Sequence, residues 1–194
     1  MPVVIRLAPV EFGEQKCVGL VMQRDGVDNA ALLRRDPLTG LADRTQLLAR
    51  LSELMGGERS SDQRFSVLFI DLDEFKKVND IHGHMVGDKV LSEVAHRLSR
   101  CIRNSDLIVR YGGDEFVMLI EQADGWETFE PVIARIHAAL SDPIWVGTEP
   151  LTISASVGGA ELTDAHRKPE DLLAAADRAM YAAKRRGRCV AVAR

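Results

Sequence analysis

Two acidic residues follow a glycine pair in the run Arg110-Tyr111-Gly112-Gly113-Asp114-Glu115-Phe116, and a third, Asp71, ends the apolar run Ser66-Val67-Leu68-Phe69-Ile70. Clustered carboxylates repel one another, and burying them is costly without a counter-charge. A hard divalent cation meets both needs, and Mg²⁺ takes few protein carboxylates when substrate phosphates complete its shell. Such a site suits phosphoryl or nucleotidyl transfer, where metal ions stabilise the attacking and leaving oxygens. Taken alone, Asp114-Glu115 after two glycines reads more readily as an exposed turn, because short motif matches are weak. The run Asp71-Leu72-Asp73-Glu74-Phe75-Lys76-Lys77 adds a second feature. Backbone N–H groups where a strand turns into a helix can cradle phosphate, and Lys76 adds positive charge; the plain alternative is a solvated helix start.

Positioning these groups requires a sheet. Residues 66–70 form a continuous apolar strand of the kind found at a sheet centre. Val86, Val90, Leu91, Val94, Leu98, Cys101 and Ile102 trace one face of a helix. Residues 107–109 and 116–120 read as strands joined across Gly112-Gly113, a pair that can take φ > 0 at both positions of a tight hairpin turn. A helix over residues 127–140 follows, then strand residues at 144–146 and 151–157. Pro169-Glu170-Asp171 open a last helix, Lys184-Arg185-Arg186-Gly187 close it, and residues 189–192 suit an edge strand. Upstream, Leu47, Leu48, Leu51 and Leu54 lie at helical spacing. The core order is strand, helix, strand, strand, helix, strand. That is an α+β fold with a ferredoxin-like βαββαβ core, its antiparallel central sheet flanked by helices.

The 194 residues suit one such domain with a short appendage. The appendage is residues 1–35: two apolar stretches, Val3-Val4-Ile5 and residues 18–22, suit a hairpin, and a short helical connector precedes Asp36. A hairpin alone buries too little to stand as a domain, so it reads as the end of an upstream, PAS-like sensor, with residues 28–35 as the linker. No apolar run approaches the roughly 18 residues that span a bilayer, and the N-terminus lacks a signal-peptide pattern. Cys17, Cys101 and Cys189 are odd in number and far apart, which excludes a disulfide framework or zinc site and fits a reducing cytosol. A net charge of −4 argues against a nucleic-acid polymer as partner, though not against nucleotides held by a local basic patch and metal ions.

From Asp36 to about Val190 the chain resembles the GGDEF domains, the diguanylate cyclases. The resemblance rests on Asp36-Pro37-Leu38-Thr39-Gly40-Leu41, Asp71-Leu72-Asp73-Glu74-Phe75-Lys76, Asn79-Asp80, Gly83-His84, Gly87-Asp88, the Gly112–Phe116 run, Ser156-Val157-Gly158, Asp177, Met180-Tyr181, Ala183-Lys184 and Gly187-Arg188, in that order. Asp43 and Cys189 depart from the asparagines usual at their positions.

The resemblance implies a fold like the nucleotide-cyclase and polymerase palm, and domain boundaries at 1–35 and 36–194. It implies a reaction in which two GTP molecules, one on each of two facing domains, become cyclic di-GMP and two pyrophosphates. Asp71 and Asp114, with the Leu72 carbonyl, would hold Mg²⁺, for which Mn²⁺ can substitute. Asp114, Glu115 and Lys76 form the implied catalytic set, with Asp114 as acceptor of the 3′-hydroxyl proton and Glu115 beside a second metal. Asn79 and Asp88 would read guanine, and His84 would help close the pocket formed with Gly112 and Gly113. Lys184 and Arg188 would meet the triphosphate; without the resemblance they read as cations complementing a helix dipole. Arg103 and Asp106, joined by Arg110, fit a product-inhibition motif, against the plain reading of a helix-end arginine and a turn aspartate. Partners are then GTP, cyclic di-GMP and a second copy of the chain. The domain is expected in the cytoplasm, with any membrane contact made through an upstream region. Two alternatives stay open: a silent domain serving as GTP or cyclic di-GMP receptor, and the regulatory half of a protein whose other domain degrades cyclic di-GMP.

Overall fold

The computed structural model describes residues 3–12, 15–24, 35–56, 64–121, 126–185 and 190–193. They fall into two units, residues 1–33 and 34–194. In the first, β1 (Val3–Phe12) and β2 (Gln15–Arg24) pair antiparallel, with Val3 opposite Arg24 and Phe12 opposite Gln15. The helical connector expected before Asp36 lies outside the described residues, apart from Arg35.

The second unit is organised by β4 (Phe65–Leu72), which pairs antiparallel on one side with β6 (Glu115–Glu121) and on the other with β9 (Ala155–Glu161). Beyond β6 lies β5 (Leu107–Gly112), also antiparallel to its neighbour. These four strands stand in the order β9-β4-β6-β5, the ferredoxin-like arrangement expected from the sequence. Two parallel additions close the edges: β10 (Val190–Ala193) on β9, and β3 (Ala42–Asp43) on β5.

Helices cover both faces. Leu68, Ile70 and Leu72 of β4 point to one side. There they pack with Val90, Leu91, Val94 and Leu98 of α3 (His84–Ser99), Phe75 and Val78 of α2 (Phe75–His82), and Ile133 and Ile136 of α4 (Trp126–Ser141). Val67 and Phe69 point to the other, among Leu47 and Leu51 of α1 (Arg44–Gly56) and Leu172, Ala176 and Met180 of α5 (Pro169–Arg185). A strand buried on both faces has no polar alternation, which is why residues 65–70 read as one apolar run.

The apolar stretch expected as one strand over 151–157 divides. Leu151 ends β8 (Glu149–Leu151), which pairs with β7 (Ile144–Val146), whereas Ala155 starts β9 opposite Leu72. The two halves serve different partners, so the ladder breaks between them.

One close approach sets where α5 lies. A Cβ at Gly158 on β9 would stand 2.0 Å from the Met180 backbone nitrogen and 2.4 Å from the Ala176 carbonyl oxygen. Only glycine lets the helix settle this near the strand. We expect Gly158→Ala to destabilise the domain by about 3 kcal/mol, the upper range for overpacking, as read by urea unfolding. An unchanged midpoint would show that α5 can move aside at little cost.

Candidate active site

The register of β4 brings the acidic residues together. Asp71 stands opposite Glu115 on β6 and opposite Ser156 on β9. The Leu72 N–H donates to the Asp114 carbonyl at 3.3 Å, closing the hairpin tip over the end of β4. By strand alternation Asp71 follows Val67 and Phe69, and Glu115 precedes Val117 and Leu119, so both carboxylates lie on the α1/α5 face. Lys184, in the last turn of α5, hydrogen-bonds and ion-pairs with Asp71 Oδ1.

Charge is crowded here. Burial raises the Asp71 carboxyl above its ordinary range; the charges of Asp114 and Asp73 add to this, and the Lys184 ammonium offsets only part of it. Burial likewise raises Glu115, reinforced by Asp71, Asp114 and Asp177. Burial works to lower Lys184, but its hydrogen bond to Asp71 and the surrounding carboxylates outweigh that and hold the ammonium up. Asp73 does not join the cluster as a free group. Its carboxylate accepts from Ser154 Oγ and Ser156 Oγ, both at 2.7 Å, and its N–H donates to the Ser154 carbonyl at 2.9 Å. It ties the end of β4 to the start of β9.

Among the described residues no group of three or more His, Cys, Asp or Glu side chains is arranged to hold a metal ion by itself. An ion that takes part of its shell from substrate phosphates does not need one. Asp71 and Asp114, with the Leu72 carbonyl and Glu115, offer only oxygen donors, and the neighbouring carboxylates add to the burial that raises Asp71 and Glu115. That donor set fits Mg²⁺.

Around the hairpin tip, a cleft of about 340 Å³ is lined by Phe75, Lys76 and Asn79 of α2, His84, Asp88 and Leu91 of α3, and Arg110, Gly113 and Asp114. It thus gathers the expected base-reading pair with Lys76, His84 and Asp114. Asn79 is held by a close fit: a Cβ at residue 87 would stand 1.9 Å from its Oδ1, so Gly87 leaves the room its side chain occupies. Gly113 turns the hairpin with φ 39°, but Gly112 does not share its positive φ; it belongs to β5 and pairs with Glu115 across a register shift. The shift lets one left-handed residue do the work expected of two.

Arg110 is not placed with Arg103 and Asp106. It sits four residues farther along β5 and lines the cleft. Its guanidinium donates to the Gly113 carbonyl at 2.8 and 3.0 Å and to the Asp36 carboxylate at 3.1 and 3.2 Å. Asp36 also accepts from the Thr39 N–H at 2.8 Å and its hydroxyl at 2.6 Å. Burial works to raise Asp36, yet the Thr39 bonds and Arg110 hold it below the ordinary range. Nothing local marks this link, since the two residues are 74 positions apart. Arg103 is exposed, and the Asp106 carboxylate accepts from the Arg103 N–H at 2.9 Å and the Glu121 N–H at 3.3 Å. Arg188 lies outside the described residues. Asp177 lies seven residues before Lys184 on α5, a separation that marks a shared face.

A family model described as diguanylate cyclase, GGDEF domain, matches residues 33–189. A bifunctional diguanylate cyclase/cyclic di-GMP phosphodiesterase, MucR of Pseudomonas aeruginosa, is 42% identical over 160 residues, covering 81% of this chain and 23% of MucR. The chain spans between a fifth and two-fifths of the length of the curated relatives it matches. Among solved structures, the isolated GGDEF domain of YfiN from Pseudomonas aeruginosa superimposes with a TM-score of 0.78 at 35% identity, covering 83% of this chain and 95% of that one. The GGDEF domain of DgcB from Caulobacter crescentus, solved with cyclic di-GMP, gives 0.75 at 29% identity, covering 82% and 92%.

The raised Glu115 carboxyl has a pH signature. Folding holds its proton above the ordinary glutamate range, so in that window the folded state binds more protons than the unfolded one and stability falls as pH rises. Without divalent metal, Glu115→Gln should therefore melt at a higher temperature than the wild type at neutral pH. The gap should close near the ordinary glutamate value of about 4.3. A gap independent of pH would assign the effect to packing.

Proposed function

The chain belongs to the GGDEF diguanylate cyclase family, and from that premise we propose that it condenses two GTP molecules into cyclic di-GMP and two pyrophosphates, each domain of a facing pair holding one GTP. The observation that carries this reading is the meeting of Asp71, Asp114 and Glu115 at the strand ends beside a cleft that contains Lys76, Asn79 and Asp88.

Guanine presents O6 and N7 as acceptors and N1–H and N2–H as donors. The Asn79 amide can donate to the first pair, and the Asp88 carboxylate can accept from the second, a combination adenine does not offer. With the base among α2 and α3, the phosphates run toward the β4–α2 turn and Lys76, and the sugar lies near Asp114. Bound Mg²⁺ at Asp71 and Asp114 supplies charge stabilisation for the phosphates. Asp114 takes the proton from the 3′-hydroxyl. The oxygen so freed forms a bond to the α-phosphorus of the GTP on the facing copy, and the bond to its pyrophosphate breaks. The same exchange in the opposite sense closes the ring. One domain presents only one reacting hydroxyl, so activity requires two copies.

Arg103 and Asp106 form a second site in this reading, where exposed Arg103 donates to guanine O6 and N7 of the product. The upstream hairpin and linker belong to an input module, and the domain works where GTP is abundant, in the cytoplasm. Among the described residues no helix is long and apolar enough to cross a membrane.

Incubation with GTP and Mg²⁺ should yield a product with the mass of cyclic di-GMP. Asp114→Ala should reduce the rate by at least about a thousandfold, the scale of a lost base together with a lost metal contact, with the melting temperature retained. GTP binding without product, even in a chain fused to a dimerising segment, would favour a receptor. In a separate assay, saturating cyclic di-GMP should slow the wild type but not Arg103→Ala. Equal inhibition of both would remove the second site from this account.

A further inference from the structure

Lys184 stands in an unusual position for a phosphate-binding residue. Its ammonium is bonded to Asp71, and the Asp71 side chain is 16% exposed against 42% for the lysine. The lysine therefore reaches inward from a solvated stem to a partly buried carboxylate. Asp114 and Asp73 act on the pair, Glu115 stands opposite Asp71, and among the described residues Lys184 is the cation that acts on Asp71 and Glu115. The base of α5 is fixed by its contact with Gly158, so the reach is made by the flexible side chain and not by the helix. An ammonium on four methylenes is a movable point charge. At the C-terminal end of a helix it remains favourably placed against the dipole wherever it swings.

An ammonium and a divalent cation compete for one carboxylate oxygen, because like charges at contact distance repel strongly. We propose that Lys184 is a tethered counter-ion that occupies the cation position at Asp71 in the nucleotide-free protein and is displaced to the nucleotide phosphates when metal enters. This rests on the reading of Asp71 as a metal ligand. The consequence is a coupling. Metal alone must expel the lysine into water, whereas metal arriving with a polyphosphate gives the expelled ammonium a new partner. Nucleotide therefore strengthens metal binding, and by thermodynamic reciprocity metal strengthens nucleotide binding by the same factor. Lys184 sets that factor.

The test is Mn²⁺ binding to the nucleotide-free chain, followed by the electron paramagnetic resonance signal of the free ion. Lys184→Met keeps most of the apolar stem and removes the charge; it should bind Mn²⁺ about tenfold more tightly than the wild type, within the usual range of coupling factors. Lys184→Arg, which keeps the charge, should stay near the wild type. A GTP analogue with a methylene bridge between its α- and β-phosphates should improve Mn²⁺ binding strongly in the wild type and much less in Lys184→Met. Equal or weaker Mn²⁺ binding by Lys184→Met overturns the proposal. Asp71→Asn separates the two readings. If it loses Mn²⁺ while Lys184→Met shows no gain, the counter-ion role fails and the metal ligand stands; if it retains Mn²⁺ fully, the metal reading itself fails. The wild type supplies an independent measurement. Acylation of the Lys184 amine, followed by mass spectrometry, should accelerate at saturating Mn²⁺ without nucleotide, where the lysine is expelled into water, and an unchanged rate counts against displacement.

Discussion

A carboxylate at the end of a doubly paired central strand cannot move away from its neighbours. Because β4 is bonded to β6 and β9 at once, Asp71 is fixed opposite Glu115 on one side and Ser156 on the other. Relief of the resulting repulsion by displacement would break two ladders. Relief has to come from charge or from hydrogen bonds, and the surrounding structure supplies both. Asp73 accepts hydrogen bonds from two serine hydroxyls, whereas Asp71 receives an ammonium. Neither supply is complete: burial and the neighbouring carboxylates leave both Asp71 and Glu115 raised.

The hairpin tip is restrained in a different way. Arg110 donates to the Gly113 carbonyl and to Asp36, so the turn that carries Asp114 is fastened to the turn that opens the domain. Ser92 of α3 adds a bond to the Leu38 carbonyl of that same opening turn, at 3.3 Å. The cleft wall and the carboxylate tip therefore share one anchor. Rigid backing of this kind keeps reacting groups within the small tolerances that chemistry requires.

Much of this was legible in the residue order. A strand buried on both faces leaves an unbroken apolar run, and an amphipathic helix leaves its period, so the βαββαβ core could be read directly. Asp71 and Asp114 were legible as strand-end acids and meet at one end of the sheet, whereas Asn79 and Asp88, which share a cleft with Asp114, were singled out by the family resemblance alone. What could not be read were bonds between residues distant in sequence. Asp36 with Arg110 and Asp71 with Lys184 depend on strand order and on how closely α5 approaches β9, and neither has a local signature. That Arg110 lines the cleft with Asp114 was not legible for the same reason: position in a motif does not say which way a side chain on a strand points. The division of residues 151–157 between two sheets failed for a related one, since apolar content does not name a partner strand.

Lys184 and Asp71 are separated by 113 positions. A ribosome adding roughly 5–20 residues per second releases the acidic strand several seconds before the helix that carries its cation. During that interval β4 and the hairpin can form, but the carboxylates they align have no tethered partner. Until α5 docks, Asp71 lacks the ammonium that stands against it in the folded domain.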